Sequence, residues 1–294
     1  MPQPIAALWT ALPPVARTAV WMMLCGLFFS IMSVLIRIGS AELPATTMIV
    51  ARNGLAFLCL APFLFRNGLQ VVRAPRPFFL MWLGAIQVLS NVGWFLALKV
   101  VPIADATAIS FLTTIITPVL AVFFLREPPR PVRFMALAAG LLGAIVIIRP
   151  GFQQISPEML MLLSNAVIYA GFALIIRSAS RDHASDTIVF YTLASAVPLA
   201  VLIAIPDLAW PSAWGWGILI GIGFCAGLGQ ITATLGYGSG ETSLVMAFDF
   251  LKLPIAAAVS VLILGESPDS WTWIGASVIF AAAWLMVRNE TRSK

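Results

Sequence analysis

The chain is 294 residues long, 61% hydrophobic and only 10% charged, with a net charge of +5 and a mean hydropathy of +0.99. A soluble globular domain carries roughly 25% charged residues, so this composition excludes one and points to an all-α integral membrane protein. A membrane β-barrel needs ~10-residue alternating segments, whereas the apolar runs here are about 20 residues long and do not alternate. The basic residues are scattered over short loops, which argues against a nucleic-acid partner.

Cys25, Cys59 and Cys225 lie far apart within apolar runs, and His183 is the sole histidine. No metal site, disulfide framework or cofactor is called for, and no GxxxxGK[ST] phosphate loop occurs. The opening stretch, residues 1–14, lacks a charged n-region and a cleavage site, and reads as a short cytoplasmic tail, not a signal peptide.

About ten membrane helices follow, at 15–36, 45–65, 77–98, 102–124, 132–148, 157–176, 185–205, 212–236, 242–264 and 270–287. Turn formers such as Pro44, Asn67–Gly68, Pro128–Pro129, Pro150–Gly151 and Ser267–Pro268 separate them. Arg52 interrupts the second helix about 11 Å from its start, at 1.5 Å per residue. It can snorkel to the surface, bind a carboxylate near the outer gate, or pair with Asp105 or Glu241. Gln87 and Asn91 share a face of the third helix, with Trp94 nearby. Ser110, Thr113, Thr114 and Thr117 make a hydroxyl stripe on the fourth, followed by Pro118.

Asn165 and Tyr169 align in the sixth helix, Thr187, Tyr191 and Ser195 in the seventh, and Gln230, Thr234 and Tyr237 in the eighth. Gly221, Gly223, Gly227 and Gly229 read as a close-packing face. The ninth helix is the most unusual, because its apolar run carries Met246, Asp249, Lys252 and Pro254. A charge at the centre of a membrane helix costs on the order of 3 kcal/mol, so this segment is expected to line a polar cavity inside the bundle. Asp249 and Lys252 can be an internal i, i+3 ion pair or a receptor for a zwitterion. Hydroxyls and amides in the other stripes can equally back-bond or glue helices together.

Twelve of the basic residues fall on the side shared by both termini and three, Arg37, Lys99 and Arg149, on the other. The positive-inside rule then places both termini in the cytoplasm. The chain also repeats itself. A shift of 139 carries Leu125-Arg-Glu-Pro-Pro129 onto Leu264-Gly-Glu-Ser-Pro268, Arg149 onto Arg288 and Asn91 onto Gln230; a shift of 140 carries Ile36-Arg37 onto Ile176-Arg177 and Thr47 onto Thr187. The halves, 1–150 and 151–294, hold five helices each, and an odd number forces the second copy to enter the membrane inverted. The 139 shift sets Asp249 and Lys252 against Ser110 and Thr113, so the charges belong to one half.

Two copies of a five-helix unit, each with a proline-containing helix ending in Leu-x-Glu-x-Pro, resemble the drug/metabolite transporter superfamily in its ten-helix EamA-repeat branch. Within it the chain looks most like the YddG-type exporters of aromatic amino acids. The resemblance implies an inner-membrane transporter, not an enzyme, that exports small organic metabolites by alternating access. Amino acids, or other metabolites, drugs or nucleotide sugars, are the cargo expected in a central cavity. The expected substrate contacts are Lys252, Asp249, Gln230, Asn91, Gln87, Trp94, Asn165, Tyr169, Tyr191 and Met246. Pro118, Pro254 and Arg52 are expected at gates or hinges. The rival, a lipid-modifying enzyme, rests only on Arg181, Asp182, His183 and Asp186 in one short loop.

Overall fold

A computed structural model of the chain describes residues 14–64, 71–124, 126, 131–148, 156–180, 182–207, 210–239 and 248–292. All the regular structure described is helical: α1 (Pro14–Gly39), α2 (Ala45–Leu64), α3 (Pro77–Ala97), α4 (Ile103–Ser110), α5 (Leu112–Phe124), α6 (Pro131–Ile148), α7 (Pro157–Ala179), α8 (Ser185–Ala204), α9 (Ala213–Ser239), α10 (Lys252–Leu264) and α11 (Ser270–Arg292), with a 3-10 turn at Ile205–Asp207. In lipid each backbone polar group must be satisfied within its own segment, which favours helices. Seven described stretches are long and apolar enough to cross a membrane, and Phe134–Ile148, Lys252–Leu264 and Ser270–Leu285 are shorter apolar helices.

Helix ends follow the punctuation in the sequence. Ser156 caps α7 by accepting a 3.3 Å hydrogen bond from the Met159 amide, and Pro157 occupies the first helical position. Gly265 ends α10 in the left-handed region at φ 70°, its amide donating to the Val261 carbonyl at 3.1 Å. The residue 139 positions earlier, Arg126, is also left-handed, at φ 53°. The variable position of the Leu-x-Glu motif is therefore a helix stop in both halves.

The fourth span is interrupted where one continuous helix was expected. The Phe111 amide donates to Ala108 and its carbonyl accepts from Thr114, tight i to i+3 bonds that separate α4 from α5. The ninth span has a turn at Phe250–Leu251, with Leu251 donating to Phe248 and Leu253 to Phe250. Phe111 and Phe250 are 139 residues apart. The expected bending points sit elsewhere. Pro118 lies inside α5, which runs on through it, and Pro254 is the third residue of α10, just past the turn. Lacking an amide hydrogen, Pro254 helps leave the Phe250 carbonyl to Leu253.

Helix packing repeats with a five-span shift. α1 packs on α9 as α7 does on α3; α2 packs on α9 as α8 does on α3; α10 packs on α1 as α5 does on α7. Glycines make these seams close. A Cβ on Gly84 of α3 would lie 2.7 Å from the Ala196 amide nitrogen and the Thr192 carbonyl of α8. One on Gly223 of α9, 139 residues later, would lie 2.8 Å from the Ala51 carbonyl of α2. Gly143 of α6 and Gly275 of α11 meet backbone to backbone in the same way. The glycine face expected on the eighth span is this seam, with Gly221 against Leu35, Gly227 against Cys59 and Gly229 against Phe29.

Candidate functional site

Among the described residues two polar clusters stand out within the apolar bundle. The first joins α2, α3 and α7. Asn53, wholly buried, donates from Nδ2 to the Ile49 carbonyl at 2.9 Å and accepts at Oδ1 from Arg52 (3.0 Å) and Asn91 (3.4 Å). Next to Asn91, Ser90 donates to Asn165 Oδ1 of α7 at 2.8 Å. A polar side chain buried in hydrocarbon without a partner costs several kcal/mol, so these pairings let the amides persist there.

The second cluster joins α1, α9 and α10. Asp249, in the last helical turn before the interruption, forms an ion pair with Lys252, the first residue of α10; each side chain is 25% exposed. The Lys252 stem passes over α1, where a Cβ on Gly26 would lie 3.1 Å from its Cγ. Its ammonium sits 5.6 Å from the centre of the Phe29 ring, within cation–π range. Cys25 lies within electrostatic reach of both charges and beside Thr232 of α9. The pair occupies a helix interruption, where backbone groups are already loosened from the i to i+4 pattern.

The two interruptions touch. The Phe111 and Phe250 rings stand 4.7 Å apart centre to centre, inclined at 51°, and Phe250 packs edge-on against Phe280 of α11 at 4.7 Å. Residues in corresponding positions of the two halves thus contact each other.

Other expected site residues are placed apart. Gln87 and Gln230 are half-buried, with no hydrogen bond to either side-chain amide among the described residues. Trp94 packs against the central core. Tyr169 is 47% exposed and stacks on Phe172. Tyr191 donates its hydroxyl to the Val72 carbonyl at 2.8 Å, tying α8 to the segment before α3. Met246, Glu127, Arg181 and Glu241 lie outside the described residues. The hydroxyl stripe of the fourth span is directed at helix carbonyls: Ser110 bonds Thr107, Thr117 bonds Thr113, and Thr113 reaches Ala166 of α7 at 3.4 Å. Arg52 makes no pair with Asp105, whose carboxylate instead accepts from Thr272 of α11.

At the end of the bundle away from the termini, contacts link the two halves. Arg37 donates to the Lys99 (3.2 Å) and Val101 (2.6 Å) carbonyls and pairs with Glu266 at 3.4 Å. Glu42 accepts from the Ser212 amide at 3.1 Å. Asn53, Ser90 and Phe29 escaped the sequence reading. Asn53 had a signal, two successive polar residues inside an apolar run. Phe29 had none, since only its contact with the Lys252 ammonium distinguishes it from other apolar residues.

A family model for EamA-like transporters matches the chain twice, at residues 16–149 and 156–288. The chain belongs to the EamA-like transporter family. This EamA-like protein is thus a multi-pass membrane transporter built from two copies of one unit. It is 29% identical over 277 residues to a riboflavin transporter of Rhizobium johnstonii, covering 93% of this chain and 92% of that one. It is 29% identical over 265 residues to the pseudopaline exporter CntI of Pseudomonas aeruginosa, covering 89% and 93%. An S-adenosylmethionine uptake transporter of Rickettsia prowazekii is 23% identical over 273 residues, covering 93% of each. A solved crystal structure superposes with a TM-score of 0.66 at 19% identity, over 95% of this chain and 99% of its own, which shows a shared fold.

Proposed function

We propose that this transporter exports a small organic metabolite, an amino acid with an aromatic side chain being the cargo class favoured, from the cytoplasm across the inner membrane. Its copies, 1–150 and 151–294, are inverted with respect to each other, and both termini lie in the cytoplasm, the side richer in Lys and Arg. The single observation that carries the reading is the Asp249–Lys252 pair at the interruption of the ninth span. A zwitterion offers a carboxylate to Lys252 and an ammonium to Asp249, so partners can be exchanged without stranding either charge. Phe29, Phe111 and Phe250 supply an apolar wall for a ring. Transport proceeds by rocking of the copies about the Phe111–Phe250 contact, with the Arg37–Glu266 tie as the outer latch.

The five-span repetition of packing and the twofold family match support the repeat. The test is counterflow of labelled phenylalanine, tryptophan and threonine in proteoliposomes. Exchange of an aromatic amino acid is expected, and no exchange of any of the three with folded protein would refute the amino-acid cargo. A second reading, a flavin cargo, is favoured by the similarity to riboflavin transporters, and labelled riboflavin in the same assay separates the two.

A further inference from the structure

We infer that Arg52 is a second anchor for the carboxylate of the transported metabolite, met at a different stage of its passage from Lys252. This deepens the transport reading and rests on it. Arg52 sits about two turns inside α2, and its guanidinium is charged at every physiological pH. Among the described residues that charge receives little in return: one of its five N–H donors is used, in the 3.0 Å bond to Asn53 Oδ1, a neutral acceptor shared with Asn91. Tyr169, a neutral phenol, is the titratable neighbour within electrostatic reach, and among the described residues no carboxylate pairs with Arg52. The Arg52 side chain is half-buried, so part of it remains within reach of a ligand or water.

The repeat shows that the frame does not need a cation here. The shift of 140 carries Arg52 onto Thr192, which is 5% exposed and returns its hydroxyl to the Ile188 carbonyl at 2.7 Å. Asn53 falls on Leu193, buried and apolar. The same seam is thus built in the second copy from a self-satisfied hydroxyl and a leucine. A charge that packing does not require, held by a three-way-bonded amide and left with open donors, has the character of a ligand-binding group. A guanidinium presents a planar fork that matches a carboxylate. One cation beside a neutral amide balances a single negative charge, which favours a carboxylate over a phosphate.

The test uses the full chain in lipid nanodiscs and compares wild type, Arg52→Gln and Arg52→Lys. Midpoints of thermal unfolding are read with phenylalanine, phenylpyruvate, phenylalanine amide, inorganic phosphate and riboflavin, and flux of the same organic probes is read in proteoliposomes. The carboxylates are expected to raise the wild-type midpoint and the amide is not. Arg52→Gln is expected to weaken phenylpyruvate binding roughly tenfold or more, the scale of one charge-assisted contact, with Arg52→Lys between the two. Without any probe the Arg52→Gln midpoint is expected to stay level or rise, because a half-buried charge with no counter-charge among the described residues is removed. Carboxylate binding unchanged in Arg52→Gln would overturn the inference, as would a probe-free midpoint lowered by more than about 4 °C, the mark of a structural residue. Stabilisation by phosphate in place of the carboxylates would overturn it too. Flux of riboflavin with none of a carboxylate would overturn it while leaving the transport reading standing; no flux of any probe would bring down both.

Discussion

Gly84 lets α3 approach the backbone of α8 at Thr192 and Ala196; 139 residues later Gly223 lets α9 approach α2 at Ala51. Phe111 and Phe250 mark the interruptions of the fourth and ninth spans and touch. Arg126 and Gly265 both end their helices left-handed. Against these shared features stand the charges. Asp249 and Lys252 in the second copy answer to Ser110 and Thr113 in the first, and Arg52 in the first answers to Thr192 in the second. The difference teaches that the shared frame and the intramembrane charges are carried by separate residue sets. The frame is made of positions the copies hold in common, and charge is placed where they diverge.

The strongest way to break the comparison is to overfill a shared seam. Gly84→Leu and Gly223→Leu should each abolish a monodisperse, folded protein in detergent chromatography, because the added side chain meets backbone that cannot yield. Alanine at either site should cost about 1–3 kcal/mol. A large effect in one copy and none in the other would show that the seams are not equivalent.

Next comes the ion pair. Lys252→Met leaves Asp249 unpaired and should lower stability by ~1–2 kcal/mol, below the 3–5 typical of a fully buried pair because both groups are partly exposed. Adding Asp249→Asn should recover most of that loss, a coupling read from the double-mutant cycle. At the matching positions, Ser110→Ala and Thr113→Val should change the unfolding midpoint far less, since the Ser110 hydroxyl is satisfied by its own helix.

The aromatic contact sharpens the comparison further. Phe111→Leu and Phe250→Leu should show a coupling of about 0.5–1.5 kcal/mol, the worth of an aromatic pair beyond its area. The smallest effect concerns the helix stops. Arg126→Gly should raise stability by about 0.5–1 kcal/mol by relieving a left-handed residue that carries a side chain, while Gly265→Ala should lower it by a similar amount. Thermal unfolding of the two variants side by side checks the opposite signs.

Much of this was legible in the sequence. Long apolar runs fix the spans, and the recurrence of Leu-x-Glu-x-Pro announced the duplication, because a helix stop needs a particular residue order in any fold. The glycine face of the eighth span was legible for the same reason, small residues at helical spacing. The break at Phe111 was not, since nothing local distinguishes it from continuous helix. It coincides with a tertiary contact to the residue 139 positions away. Pro118 drew attention because proline loosens helices in general, yet α5 accommodates it. Stripes of hydroxyls and amides were legible as a pattern, but their use was not. Whether Ser110 or Tyr191 bonds a carbonyl or a ligand depends on which backbone comes within 3 Å, and that is set by packing.

The measurement that bears most directly on the separation of frame from charge is counterflow of labelled phenylalanine by Lys252→Met and Thr113→Val, each checked for folding. The account predicts at least roughly tenfold slower exchange in Lys252→Met, the loss of one charged contact, and near wild-type exchange in Thr113→Val. Wild-type exchange by Lys252→Met, or equal loss in both variants, would contradict it.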